Sequence, residues 1–249
     1  MVTFPDLVFS DLDSVRDLGQ FLARARSIND DGVLLQHVGS ALATYVPLLT
    51  VGELGLSLTS KNDGAATDSE PAQDTLLIMG MRVSGLAGTL TGSSTETVTG
   101  TRPGKPSSGV YAIGDITDRT ARAQESPDKT VLIPAPPAQR PAVWASRVPP
   151  RSGWEVVADI PSETIEQDAS AAITAVAEAL PASPGGAVVL TVRERIWASD
   201  STTKEIPLGA AVALKTLGFL SPEEPVRHAR AGLWQRLSTS RGHVLVYRR

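Results

Sequence analysis

Cysteine is absent from this chain of 249 residues, and with it go disulfides, thiolate zinc sites, iron–sulfur clusters and thiol nucleophiles. A core without such staples must come from packing, for which the length suffices as one large domain or two small ones. Aromatic residues make up only 4% of the chain, so that core is expected to be Val, Leu, Ile and Ala. Histidine is scarce too. His37, His228 and His243 are dispersed with no partner at metal-ligand spacing, and His37 reads as a hydrogen-bonded residue of an apolar strand rather than a ligand. Neither charge sign dominates: 27 acidic against 23 basic side chains give −4, too little to draw the chain to nucleic acid or an anionic membrane through a global field. Long apolar runs are missing as well. Val33 to Leu58 is interrupted by Gln36, His37, Gly39, Ser40, Thr44, Pro47 and Glu53, so no membrane-spanning segment is expected. The N-terminus, Met-Val-Thr-Phe-Pro-Asp, shows no basic segment leading into an apolar run and a cleavage site, and the expectation is a cytoplasmic protein.

What is present is a globular composition, 41% hydrophobic and 20% charged. Ser10 followed by Asp11 and Asp13 reads as an N-cap with acidic residues in the first turn, opening a helix from Asp11 to Ser27 whose stripe is Leu12, Val15, Leu18, Leu22 and Ala25, with Phe21 beside it. Asn29-Asp-Asp-Gly32 stops it. Val33 to Val38 and Ala41 to Val51 predict two strands or one bulged strand, and Thr75 to Val83 another. Ser60 to Gln73 and Gly92 to Gly109, dominated by Ser, Thr, Gly and Pro, read as mobile loops. Val110 to Ile113 and Val131 to Ile133 predict short strands on either side of a short helix, Asp115 to Ala123.

Six prolines between Pro134 and Pro150 predict an extended crossing, which suggests an N-terminal lobe over 1–133, a connection over 134–153 and a C-terminal lobe over 154–249. That second lobe is expected to hold a strand from Trp154 to Ile160 and a helix capped by Ser162, with Ile165, Ala169, Ala172, Ile173, Val176 and Leu180 on one face. Ala187 to Trp197 fits either period and is assigned to helix. Leu208 to Phe219 predicts a third apolar helix, and Gly232 to Leu237 with His243 to Tyr247 a β-hairpin. The fold class is α+β: a helix on an antiparallel sheet in the first lobe, a helical second lobe ending in the hairpin.

Pro149-Pro-Arg-Ser-Gly-Trp-Glu-Val156, Leu208-Gly-Ala-Ala-Val212 with Leu217-Gly-Phe-Leu220, and the stretch from Gly232 to Val246 resemble a family of uncharacterised actinobacterial proteins. The resemblance covers mainly the C-terminal half and implies no activity, cofactor or site.

Several fragments approach a motif. Val8-Phe-Ser-Asp11-Leu-Asp13-Ser-Val15 resembles the first motif of haloacid-dehalogenase-type phosphatases, in which an aspartate nucleophile and a second aspartate two residues on work with magnesium. Gly114-Asp115 with Asp118 imitates a later motif of that family. The residues favour another account, because too few precede Asp11 for a buried strand and the aspartates open an amphipathic helix. Gly109-Val-Tyr-Ala-Ile-Gly-Asp115 resembles the second flavin-contacting motif of pyridine-nucleotide disulfide reductases. The glycine-rich dinucleotide fingerprint and the redox cysteines of those enzymes are missing, so a strand turning through Gly114 into a helix capped by Asp115 is the better reading, with no cofactor expected. Ser126-Pro-Asp-Lys129 matches Ser-x-x-Lys without its companion motifs.

After Glu224 the chain has no acidic residue. Arg227, Arg230, Arg236, Arg241, Arg248 and Arg249, interleaved with Trp234 and Tyr247, are candidates for phosphate neutralisation and base stacking, and three helices before a hairpin evoke a winged-helix domain. The helix that would read the groove, Leu208 to Phe219, has Lys215 as its only charge and belongs in a core. Arg236 and Arg248 then form the solvated face of strands that pack through Leu233, Leu237, Val244 and Val246. The composition therefore points to a non-catalytic interaction or structural protein, with self-association through the apolar terminal helix and hairpin. Nucleic-acid binding is the alternative, and metal-dependent hydrolysis using Asp11, Asp13 and Asp115 a third.

Overall fold

The computed structural model describes residues 6–38, 40–51, 75–83, 86–90, 108–125, 131–136, 139–203 and 206–248. The expected loops at 60–73 and 92–107 lie outside them, as does the Ser126–Lys129 fragment. Five α-helices and antiparallel strands make the fold α+β. The chain forms two compact units, Met1–Val46 with Gly80–Ala145 and Pro47–Met79 with Ser146–Arg249. Strands β3 (Ala41–Val51) and β4 (Thr75–Val83) each begin in one unit and end in the other.

In the first unit the periodic stripe does form a helix, α1 (Leu12–Arg26), burying Val15, Leu18, Phe21, Leu22 and Ala25. Its cap is Asp11 rather than Ser10: the Ser14 backbone N–H donates to Asp11 Oδ1 at 2.7 Å, while the Ser10 hydroxyl donates to Oδ2 of the same carboxylate at 3.1 Å. The sequence left room for too few residues before Asp11 to expect a buried strand, yet four suffice: β1 (Asp6–Phe9) buries Leu7 and Phe9 because strands pair with it on both sides. It is the centre of a three-stranded antiparallel sheet between β5 (Leu86–Leu90) and β7 (Val131–Ile133). Val33 to Val51 forms two strands, not one bulged strand. β2 (Val33–Val38) pairs antiparallel with β3 on one side and with β6 (Ser108–Tyr111) on the other. Gly32 permits the entry into β2: its φ is +109°, and a Cβ there would stand 2.9 Å from the Tyr111 carbonyl oxygen.

Helix α2 (Ile113–Gln124) begins earlier than the sequence suggested, with Ala112 at the cap position, so Asp115 lies in its first turn and caps nothing. It runs antiparallel to α1. A Cβ at Gly19 would approach Thr120 Oγ1 to 3.2 Å, and one at Gly114 would approach the Arg26 guanidinium to 3.6 Å.

The second unit holds an antiparallel meander in the order β8 (Glu155–Ile160), β9 (Val226–Ala231), β10 (Trp234–Ser238) and β11 (His243–Arg248), with β4 next to β11. The terminal hairpin is present, and β9 extends it; the sequence reading missed β9 because Arg227 and Arg230 interrupt its apolar residues. One face of the meander buries Ile160, Val226, His228, Leu237, Val244 and Val246. Leu233, placed with that face in the sequence, sits in the β9–β10 turn and is 53% exposed.

Helices α3 (Ser162–Ala179), α4 (Gly186–Ala198) and α5 (Leu208–Thr216) complete the unit. The ambiguous segment is helix. Ser162 is not a cap but the first helical residue after Pro161, and its hydroxyl donates to the Glu224 carbonyl instead. α5 is buried from Gly209 to Leu214 between α3, α4 and β11. Gly209 makes this packing possible, since a Cβ there would lie 2.9 Å from Trp197 Cβ. Among the described residues no helix is long and apolar enough to cross a membrane.

Candidate interaction surface

The N-terminal carboxylates do not form a site. Asp11 is occupied by its cap, and the hydrogen bonds from Ser14, ahead of the one from Ser10, hold its carboxyl below the usual range. Asp13 pairs with Arg16 at 2.6 Å, one turn along the same helix. Asp115 sits at the other end of the α1–α2 pair, next to Gly114, which meets the end of α1 at Arg26. The fifteen residues of α1 separate it from Asp11 by about 22 Å, at ~1.5 Å of rise per residue. A nucleophile, an acid and a metal would need these carboxylates within a few ångströms of one ion. No group of three His, Asp or Glu side chains among the described residues can hold a metal. The phosphatase-like site expected from Asp11, Asp13 and Asp115 is therefore not assembled.

The C-terminal arginines are placed by the meander, and alternation sends them to both of its faces. Arg227 and Arg236 share one face, Arg230 and Arg248 the other. Several have partners within the chain, although Arg227, Arg230 and Arg241 stay exposed. Arg248 donates to the carboxylate of Asp200 and to the Ala198 carbonyl, both at 2.7 Å, and so closes the C-terminus of α4, where a cation is favoured. Arg241 does the same after α5, donating to the Gly218 carbonyl at 2.8 Å. Arg227 pairs with Asp159 at 3.3 Å, and Arg230 stands across from Glu155 in the β8–β9 register. Arg236 lies over the Trp154 ring, 4.4 Å from its centroid, and burial lowers its pKa. Arg147 stacks likewise on Tyr247, which meets Trp234 edge to face. Of the aromatics between the arginines, Tyr247 thus carries a guanidinium stack and Trp234 packs against it, and the helix that a winged-helix reading would lay in a groove is buried.

Inside this meander His243 faces Arg236. Burial first, and the neighbouring guanidinium second, push its pKa down to about 4, and Nδ1 lies 3.0 Å from the Ser238 hydroxyl.

The unit exposes apolar side chains at β8 (Val156, Val157), at the β9–β10 turn (Leu233) and on α3 and α4. α5, expected with the hairpin to mediate association, is core, and so is one face of the hairpin. α3 and α4 are antiparallel: the Thr202 hydroxyl, just beyond α4, donates to the buried Asp168 near the start of α3 at 3.1 Å, and residues 180–185 join the other ends. Eighteen residues make α3 about 27 Å long, against about 14 Å for the nine of α5. The far halves of α3 and α4 therefore project past the helix that buries their near halves. Ile173, Val188 and Leu190 are 45%, 45% and 49% exposed there.

From Ala169 to Val192 Glu178 is the only charged residue, which is the signal that the sequence did offer. Three of the charges closer to the core are engaged: Glu166 with Lys215 at 2.6 Å, Asp168 with Thr202, and Arg193 over the Trp197 ring at 4.2 Å; Glu163 and Glu194 lie on the same stretch of the two helices. Glu178 at the tip and Arg195 near the base are both exposed.

Residues 149–249 match a family described as a domain of unknown function (DUF8185). No curated protein matches the chain. Over 98% of its length the chain is similar to the β subunit of DNA polymerase III from Thermotoga maritima, at 11% identity and a TM-score of 0.43. Its likeness to the β clamp of Helicobacter pylori, in complex with diflunisal or with 3,4-difluorobenzamide, has TM-scores of 0.41 and 0.39 at 11% identity. The chain spans 64% of the length of each of these proteins.

Proposed function

We propose that this is a non-catalytic protein that acts by binding other protein surfaces, with the projecting α3–α4 pair as its contact. The observation that carries the reading is the exposure of Ile173, Val188 and Leu190 in a stretch, Ala169 to Val192, whose one charged residue is Glu178. An apolar helical surface in water gains about 25 cal/mol for each Å² that a partner covers, and patches of this kind on monomers are commonly binding sites. The same reading makes the protein a cytoplasmic one, of actinobacterial type by its C-terminal resemblance, working without a cofactor.

The test is a pair of variants, Val188→Asp and Leu190→Asp, which place a charge on one or the other side of α4 without touching the core. Both should keep the wild-type Tm and lose the association, with itself or with a partner, that the wild type shows. A wild type that associates with nothing, or variants that associate as well as it does, would overturn the proposal. Internal bonding of Arg227, Arg236, Arg241 and Arg248 supports the same choice over nucleic-acid binding. Anisotropy titrations at low and high salt should accordingly show no salt-sensitive affinity for single- or double-stranded DNA or RNA.

A further inference from the structure

We propose that the face of the meander turned away from the helices holds a binding site for a single phosphate group, free or esterified, built on Arg236, Ser238, Arg227 and His243. The site is independent of the α3–α4 contact. Arg248, on the face that buries Val244 and Val246, reaches the end of α4, so the helices lie on that side. Alternation turns Trp234, Arg236 and Ser238 the other way.

Strand register assembles the cluster. Ser238 stands directly opposite Arg227 of β9 and His243 of β11, and Arg236 is the diagonal neighbour of both, about 7–8 Å away between Cα atoms. The Trp154 ring holds the Arg236 guanidinium by its face, and a guanidinium stacked in that way keeps its in-plane N–H groups for an oxyanion. Among the described residues no acceptor takes them: Nε is buried without a partner, and the Nη groups are not enclosed. With the imidazole donating from Nδ1 to Ser238 Oγ at 3.0 Å, the serine hydroxyl keeps its own hydrogen for a ligand.

Carboxylates among the described residues offer little competition. β9, β10 and β11 contain none, Glu155 of β8 is on the other face opposite Arg230, and Glu224 accepts from the backbone and hydroxyl of Ser240. Asp159 meets Arg227 in an exposed pair at 3.3 Å, a contact of small energy that an anion can share. Arg147, 4.5 Å from the Tyr247 centroid, adds a third guanidinium to this face. Three cations against one carboxylate leave an excess that suits the charge of about −1.5 to −2 on a phosphate monoester. The cluster spans one cross-strand diagonal, which accommodates one phosphate rather than the row along a nucleic-acid strand.

Titration of the full chain with inorganic phosphate at pH 7, against sodium chloride at matched ionic strength, tests the site through the His243 ring signals in NMR and through Tm. Phosphate should shift those signals saturably with a Kd of about 1 mM and raise Tm, and chloride should do neither. Arg236→Gln and Ser238→Ala should each weaken binding about tenfold, whereas Arg230→Gln, which removes the same charge from the other face, should leave it unchanged. Should Arg236→Gln lower Tm by itself, Ser238→Ala carries the comparison. Glycerol phosphate separates the sources: binding equal to that of the free ion assigns a monoester, and its exclusion assigns inorganic phosphate. Absence of a saturable shift up to about 20 mM phosphate, the same shift with chloride, or equal losses in Arg230→Gln and Arg236→Gln would overturn the proposal.

Discussion

Acidification should expose the cost of keeping His243 neutral. The imidazole is largely buried at the start of β11, and lack of water around it, reinforced by the Arg236 guanidinium, disfavours the charged form. In the unfolded chain the same ring titrates near 6.5, so protonation favours unfolding. The stabilisation is fully present above pH 6.5 and is lost as the pH falls from 6.5 toward the folded value of about 4. At ~1.36 kcal/mol per pH unit the interval amounts to about 3 kcal/mol, of which about 2 is gone by pH 5. Against a typical domain stability of roughly 5–15 kcal/mol this is a measurable fraction. His243→Asn keeps a hydrogen-bonding group opposite Ser238 and cannot charge. Urea unfolding followed by tryptophan fluorescence at pH 7 and pH 5 should therefore show the variant losing about 2 kcal/mol less than the wild type. Arg236→Gln should raise the His243 pKa only part of the way, since burial is the larger cause. Parallel pH profiles for wild type and His243→Asn, or an NMR titration of His243 centred near 6.5, would refute the reasoning.

Two further substitutions probe the frame around these surfaces. Gly242→Ala should destabilise the second unit by about 2–3 kcal/mol in the same unfolding assay, because the new Cβ would overlap the Phe219 ring that lies against the hairpin loop. A Tm unchanged by this substitution would mean that Phe219 swings away freely. Asp11→Ala should lower stability by about 1 kcal/mol through loss of the α1 cap, and millimolar Mg²⁺ should shift neither the wild-type nor the variant Tm. A magnesium-dependent shift abolished by Asp11→Ala would restore the carboxylate to a metal-binding role.

Local periodicity determined much of the secondary structure. The α1 stripe, the extended character of 33–51 and the terminal hairpin follow from spacings that need no distant contact, as the α+β class does; that 33–51 is two paired strands came from the fold. The same information could not place caps within a residue or two: Ser10, Ser162 and Asp115 each suit a cap, and neighbouring geometry gave the position to Asp11, Pro161 and Ala112. Short strands such as β1 exist only because flanking strands pair with them, so four residues alone did not declare one.

Function-bearing readings depended still more on the fold. Composition alone removed thiol and iron–sulfur chemistry. Whether Asp11 and Asp115 meet is settled by the antiparallel packing of α1 on α2, which holds them at opposite ends. Whether the C-terminal arginines face solvent is settled by helix ends and rings that lie 20 to 80 residues away in sequence. Apolar residues look alike in a sequence whether they are covered or not. α5 and the α3–α4 tip share that composition, and only the lengths of the packed helices decide that one is core and the other is surface.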